Sequence, residues 1–261
     1  MTGAHATTAI DRVELAALVD FQRAAAARSS SEDAVELFEI GDAVCTLMPS
    51  HPSSQLGNRV VGLGSAGSDI DPILDRIEAL YARYSAAFTI VADLPQLAAR
   101  GYTPVTPWTR FVRGTEPLRK PADALAVEMV GEAERPAFGD ACATGSDAPA
   151  YFAGWVGQLV ERQGWHCFAV RANGAIIATA ALYATNGAGW LGFAATQEQH
   201  RGRGAQSALL AARVEHARTL GVTTLVTDTA AAPGEPPGPS HRNIVRAGFR
   251  LDSVRANWEA P

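Results

Sequence analysis

Cysteine is scarce in this 261-residue chain: Cys45, Cys142 and Cys167 are the whole set, widely spaced in apolar settings without CxxC or HxxxH spacing. An odd, scattered trio argues against a disulfide framework and a zinc site, so we expect buried thiols and no metal. Charge is thin as well, at 19% of residues, and the 22 Lys and Arg are outnumbered by 27 Asp and Glu for a formal charge of −5. With so few basic clusters, neither nucleic acid nor an anionic membrane surface is expected as a partner. Long apolar runs are missing too, since no stretch approaches the roughly 18 residues a membrane span needs. The opening MTGAHATTAIDRVELAALVD carries acids inside its apolar stretch and lacks a basic leader followed by a cleavage site. These absences predict a soluble, cytoplasmic protein whose default partner is a small ligand. Core material is plentiful: 47% of residues are hydrophobic, enough for one large or two smaller domains.

The C-terminal half reads most clearly. WHCFAVRA (Trp165 to Ala172), AIIATAALYAT (Ala175 to Thr185) and GWLGFAAT (Gly189 to Thr196) are β-favouring runs separated by Asn173-Gly174 and Asn186-Gly187, dipeptides typical of hairpin turns. This pattern predicts an antiparallel meander. From Gly204 to Leu220 the period becomes helical, with Leu210, Val214 and Ala217 on one stripe and Gly221 placed as a C-terminal cap. VTTLVTD (Val222 to Asp228) is a further strand, AAPGEPPGP (Ala231 to Pro239) is irregular, and a short helix from Ser240 to Ala247 and a strand from Phe249 to Trp258 follow.

The N-terminal half echoes this pattern. Aligned without gaps, Asp71 to Asp93 and Gln206 to Asp228 share Leu74 with Leu209, Ala82 with Ala217, Arg83 with Arg218, Thr89 with Thr224, Val91 with Val226 and Asp93 with Asp228. The switch from helix to strand falls at the same place in both. ARGYTPVTPWTRF (Ala99 to Phe111) also resembles RAGFRLDSVRANW (Arg246 to Trp258). We read an internal duplication, with the boundary in the polar, proline-bearing RGTEPLRKPADA from Arg113 to Ala124.

One loop stands out chemically. HRGRGAQS (His200 to Ser207) places two glycines and two arginines between a strand and a helix, with no acid. A helix start has free backbone donors and the positive end of the helix dipole, and glycine lets an anion come close, so this turn suits a phosphate or pyrophosphate. A dinucleotide fold is one alternative, with Asp228 as the ribose-binding acid. Against it, Ser207 replaces the third glycine, five residues separate the strand end from Gly202, and the preceding strands form hairpins rather than a parallel unit.

The strand GWLGFAAT, the connector QEQH, the loop with Arg201, Gly202 and Gly204, and the late Asn243, Arg246, Gly248 and Phe249 together resemble the GCN5-related N-acetyltransferases (GNAT), from roughly Ala122 to Pro261. The resemblance implies an α/β (α+β) chain of tandem GNAT-like domains, each a mixed, mostly antiparallel sheet flanked by helices. Residues 1–118 would be a degenerate copy and residues 119–261 the catalytic acetyltransferase. It also implies acetyl-coenzyme A as cosubstrate, with Ala194, Ala195 and Thr196 along its pantetheine arm. Arg201, Gly202, Arg203, Gly204, Ala205, Gln206 and Ser207 would lie at the pyrophosphate, and Asn243 would also bind the cofactor. Gln206 departs from the small residue usual there, Ile244 stands where the family often has a tyrosine acid, and Pro237 replaces a usual asparagine.

The chemistry so implied is direct attack of a primary amine on the thioester, which requires the amine to lose a proton. Asp228, His241 and Ser240 are the candidates for proton transfer. Each has a plainer reading, as a structural turn acid, an exposed helix-start residue and an N-cap. Glu198 reads as a solvated loop acid, and His166 and Cys167 as core fillers. The acceptor is a small molecule or a peptide amine, and association as a homodimer stays open. The competing class is a fold that binds acyl-coenzyme A as a sensor or scaffold without turnover.

Overall fold

A computed structural model describes residues 8–28, 33–67, 69–92, 94–118, 124–230 and 236–261. Asp93, part of the expected linker (119–123) and part of the proline-rich segment (231–235) lie outside the described residues.

The chain divides into two compact units. The first comprises residues 1–109, 230–236 and 254–261, and the second residues 110–229 and 237–253. This differs from a cut at 118/119. The boundary falls inside strand β5 (Thr103–Arg113), and the end of strand β11 (Arg250–Glu259) belongs with the first unit. Pairing explains the second point, because Asn257, Trp258 and Glu259 run antiparallel to Val91, Ile90 and Thr89.

In the first unit, helix α1 (Ala9–Ala27) starts at Thr8, whose hydroxyl accepts from the Asp11 amide while the Asp11 carboxylate accepts from the Thr8 amide, a reciprocal cap. Strands β1 (Glu36–Ile40), β2 (Ala43–Leu47) and β3 (Arg59–Val61) are antiparallel neighbours. Helix α2 (Asp71–Ala82) then leads to β4 (Thr89–Val91), which runs parallel to β3. Ile73, Leu74, Ile77 and Tyr81 of α2 pack with Cys45, Leu47, Val60, Ile90 and Trp258.

In the second unit, β6 (Glu128–Met129) precedes helices α3 (Arg135–Ser146) and α4 (Ala150–Gly157). Strands β7 (Trp165–Ala172), β8 (Ala175–Thr185) and β9 (Ala188–Thr196) form the expected antiparallel meander. Asn173 and Asn186 adopt positive φ, 49° and 48°, as do the glycines after them, the geometry of tight hairpin turns. Helix α5 (Ala205–Thr219) crosses to β10 (Thr224–Ala230), parallel to β9, and α6 (Pro239–Arg246) follows. Leu209, Leu210, Val214 and Ala217 of α5 pack with Ile177, Leu182, Leu191, Leu225 and Ile244. On its other edge β9 pairs antiparallel with β8, the hairpin expected before the glycine loop, so β9, α5 and β10 form a parallel strand–helix–strand unit at the end of an antiparallel meander.

All three cysteines are buried and free. Burial pushes the Cys45 thiol up to about 12 and the Cys142 thiol up to about 11. Neither is a thiolate at neutral pH.

Candidate functional site

The site begins with a break in the sheet. The β9 to β10 ladder runs from Ala188 opposite Thr224 to Leu191 opposite Thr227, while β9 itself continues to Thr196. On its other edge β9 follows β8 with one irregularity: Thr179 faces Ala195 and Ala181 faces Gly192. Phe193 and Ala194 therefore share the single partner Ala180, a bulge, and Phe193 takes φ +51° to make it. A non-glycine residue in that region is strained, so the surroundings must hold it.

Side chains supply that hold. The Thr179 hydroxyl donates to the Phe193 carbonyl at 3.3 Å, and the Cys142 thiol approaches the same oxygen at 3.7 Å. Gln206 Nε2 donates to the Ala195 carbonyl and to Thr196 Oγ1, both at 2.9 Å. Arg201 donates through Nε to the Thr196 carbonyl and through Nη2 to the Gly145 carbonyl of α3, each at 3.2 Å. Gly145 itself admits no larger residue, since a Cβ there would lie 2.9 Å from the Thr196 nitrogen. Gln206, the departure from the family pattern, thus ties the helix start to the strand end.

The loop then turns sharply into α5. Gly202 and Gly204 have φ +77° and +82°, and a Cβ at either would meet nothing within 4 Å. Backbone conformation, and not crowding, requires glycine at both. Gly204 is the N-cap residue, and no side chain caps the helix. The first-turn amides of α5 therefore keep their donors for a ligand.

A cavity of about 1280 Å³ opens onto this turn. Ala194, Ala195, Thr196, Arg201, Gly202, Gly204, Ala205, Gln206 and Ser207 line it from the loop side, Ser240, Asn243 and Arg246 from α6. Leu118, Leu125, Val127, Ala208, Ala211 and Ala212 form an apolar wall. Among the described residues no aspartate or glutamate lines it, although acids outnumber bases in the chain. His200 also lines it and keeps a buried Nδ1 with no hydrogen-bond partner among the described residues. Cationic side chains, free helix amides and an unfilled polar atom fit an anion joined to an apolar arm, as coenzyme A is.

The remaining sequence candidates lie elsewhere. Arg203 is exposed and does not line the cavity. His241 packs its ring edge-on against Phe111, with centroids 4.8 Å apart, and Asp228 accepts from the Trp190 indole at 3.4 Å. Neither lines the cavity; of the three proton-transfer candidates only Ser240 does. Ile244 is 6% exposed and belongs to the core. His166 faces His216 at 3.1 Å, and burial lowers both imidazoles below their usual range. Arg213 was missed. Its signal in the sequence was an arginine one place before Val214, at the edge of an apolar stripe.

Residues 128–235 match the model of the acetyltransferase (GNAT) family, so this part of the chain is a GNAT domain. The fold of the whole chain is shared with GCN5-related N-acetyltransferases of known structure. One from Sphaerobacter thermophilus superposes with a TM-score of 0.62 at 16% identity, covering 85% of this chain and 82% of its own. Another from Kribbella flavida gives 0.60 at 19% identity and 95% of both chains. A tandem GNAT protein from the clavulanic acid biosynthesis pathway gives 0.60 at 15% identity, over 98% of this chain and 96% of its own. No curated protein matches the sequence. Among the described residues no helix is long and apolar enough to cross a membrane.

Proposed function

We propose that the second unit is an N-acetyltransferase that holds acetyl-coenzyme A in this cavity and passes the acetyl group to a primary amine. The cavity carries this reading: an uncapped helix start, two left-handed glycines and, among the described residues, no acid meet a strand whose pairing with β10 stops at Leu191. The amides from Gly202 to Ser207 receive the pyrophosphate, with Arg201 and Arg246 adding positive potential. The apolar wall takes the pantetheine arm, and the backbone from Ala194 to Thr196 orients it.

Acetyl-coenzyme A supplies an activated acyl group. The amine nitrogen bonds to the acetyl carbon, the carbon–sulfur bond breaks, and the sulfur leaves as a thiolate that takes up a proton. A backbone amide at Ala194 or Ala195 stabilises charge on the thioester oxygen. The amine's surplus proton passes to water, and water returns one to the thiolate, with the Ser240 hydroxyl placed to relay it by taking up a proton as it gives one.

A second reading, an acyl-coenzyme A sensor without turnover, draws on the buried Ile244 and on the absence of Asp228 and His241 from the cavity lining. Thiol release from acetyl-coenzyme A across a panel of small and peptide amines separates the two. Release above background with any amine supports the transferase. Calorimetric binding with no release supports the sensor, and no binding at all removes both.

A further inference from the structure

The second unit buries two arginines that the proposed reaction does not use: Arg110, which pairs with Asp252, and Arg213, which has no carboxylate beside it among the described residues. Arg213 of α5 is 1% exposed and lies on the helix face of Leu209 and Ala217, both at 0%. Packing alone calls for an aliphatic residue there. All the bonds of Arg213 go to carbonyls: Nε donates to Leu209 at 3.2 Å, and Nη1 donates to Ala181 at 3.2 Å and Gly192 at 3.5 Å. No carboxylate accompanies it among the described residues. Burial lowers its pKa to about 9, so the group still carries its charge at neutral pH. A guanidinium taken out of water without a carboxylate beside it is costly, so its place here calls for a role beyond filling space.

The two cross-strand acceptors supply one. Ala181 and Gly192 face each other at the edge of the bulge, one residue before Phe193. The Gly192 carbonyl and the Phe193 amide belong to one planar unit, so holding the oxygen fixes the direction of that amide and constrains the next. Thr179 and Cys142 hold the Phe193 carbonyl, Gln206 that of Ala195 and Arg201 that of Thr196. From Gly192 to Thr196, only the Ala194 carbonyl has no side-chain donor among the described residues. Lysine has no fork with which to reach Leu209 and the two cross-strand carbonyls together.

We propose that Arg213 is a positioning residue for acyl transfer, clamping the Gly192 carbonyl so that the strained segment from Phe193 to Ala195 keeps its amides aimed at the developing oxyanion. This inference rests on the acetyltransferase reading, and its test separates the two. R213M is nearly isosteric and uncharged; R213K keeps the charge without the fork. In R213M, coenzyme A affinity should stay within about threefold of wild type, since the loop amides are intact. The maximal rate should fall at least tenfold, with R213K recovering part of it. The Phe193, Ala194 and Ala195 amide resonances should move more than those from Gly202 to Ser207. Unchanged rate and unchanged amide positions in R213M overturn the proposal, as does a parallel loss of affinity and rate. If R213M does not fold, R213K carries the same comparison. A wild-type protein that releases no thiol with any amine removes the transferase reading, yet the amide shifts still report whether Arg213 sets the bulge.

Discussion

Two turns, one leading into α2 and the other into α5, occupy matching places, each between two parallel strands, and they treat negative charge in opposite ways. At α2 the protein supplies its own acids. The Asp42 carboxylate, from the turn between β1 and β2, accepts from the Ala66 amide at 2.9 Å, and Asp69 accepts from the Asp71 amide at 3.2 Å. The first turn of α5 carries no acid, and among the described residues none lines the cavity beside it. Asp69 thus bonds a helix-start amide, whereas Asp71 turns its carboxylate to Arg100 at 3.2 Å. The contrast continues along the helices. Glu78 stands in register with Arg213, and it bonds Tyr102 at 3.0 Å and pairs with Arg100 at 3.1 Å. The two starts also differ in backbone: the N-cap of α2 is Ile70 at φ −82°, that of α5 is Gly204 at φ +82°, and neither N-cap residue has a side-chain cap bond.

Several experiments would break or sharpen this comparison, and the largest effect should come from making the second turn resemble the first. Gly204→Asp sets a carboxylate at the cavity and a side chain at φ +82°. Coenzyme A affinity by calorimetry should fall at least tenfold, about 1.4 kcal/mol or more, and unchanged affinity would sink the loop assignment. Coenzyme A should also titrate to one molecule per chain, because Asp42 and Asp69 occupy the first turn. A stoichiometry near two would end the contrast.

Gln206→Ala removes two hydrogen bonds that tie α5 to β9, and denaturant unfolding should show a loss of about 1 kcal/mol. No loss would mean that these bonds add nothing beyond solvation. The pair His166 and His216 gives a smaller, pH-dependent effect. Both have folded pKa values lowered from 6.5 by burial, so below that pH the unfolded state binds more protons and stability falls as pH falls. The melting temperature should drop between pH 7 and pH 5, and His216→Phe should flatten part of that slope. His241→Ala should change the maximal rate least, by less than threefold, because its ring packs on Phe111 outside the cavity lining. A hundredfold loss would instead identify it as the acid.

The sequence alone determined what neighbouring residues encode. Apolar alternation and Asn-Gly turns specified the meander from Trp165 to Thr196, and helical period with Gly221 specified α5. Glycines at 202 and 204 marked the turn into α5, since only a local left-handed conformation calls for them. Tertiary structure decided what depends on partners far away in the chain. Pairing drew Asn257, Trp258 and Glu259 to β4, although the composition of the linker suggested a simple cut into halves. The bulge at Phe193 arises from a mismatch with β8, which no pattern within β9 reveals. The roles of Asp42 and Arg213 follow from which carbonyl or amide each meets after folding. Backbone preference is a property of a residue and its near neighbours, whereas the cost of a charge is set by what surrounds it once water has been excluded.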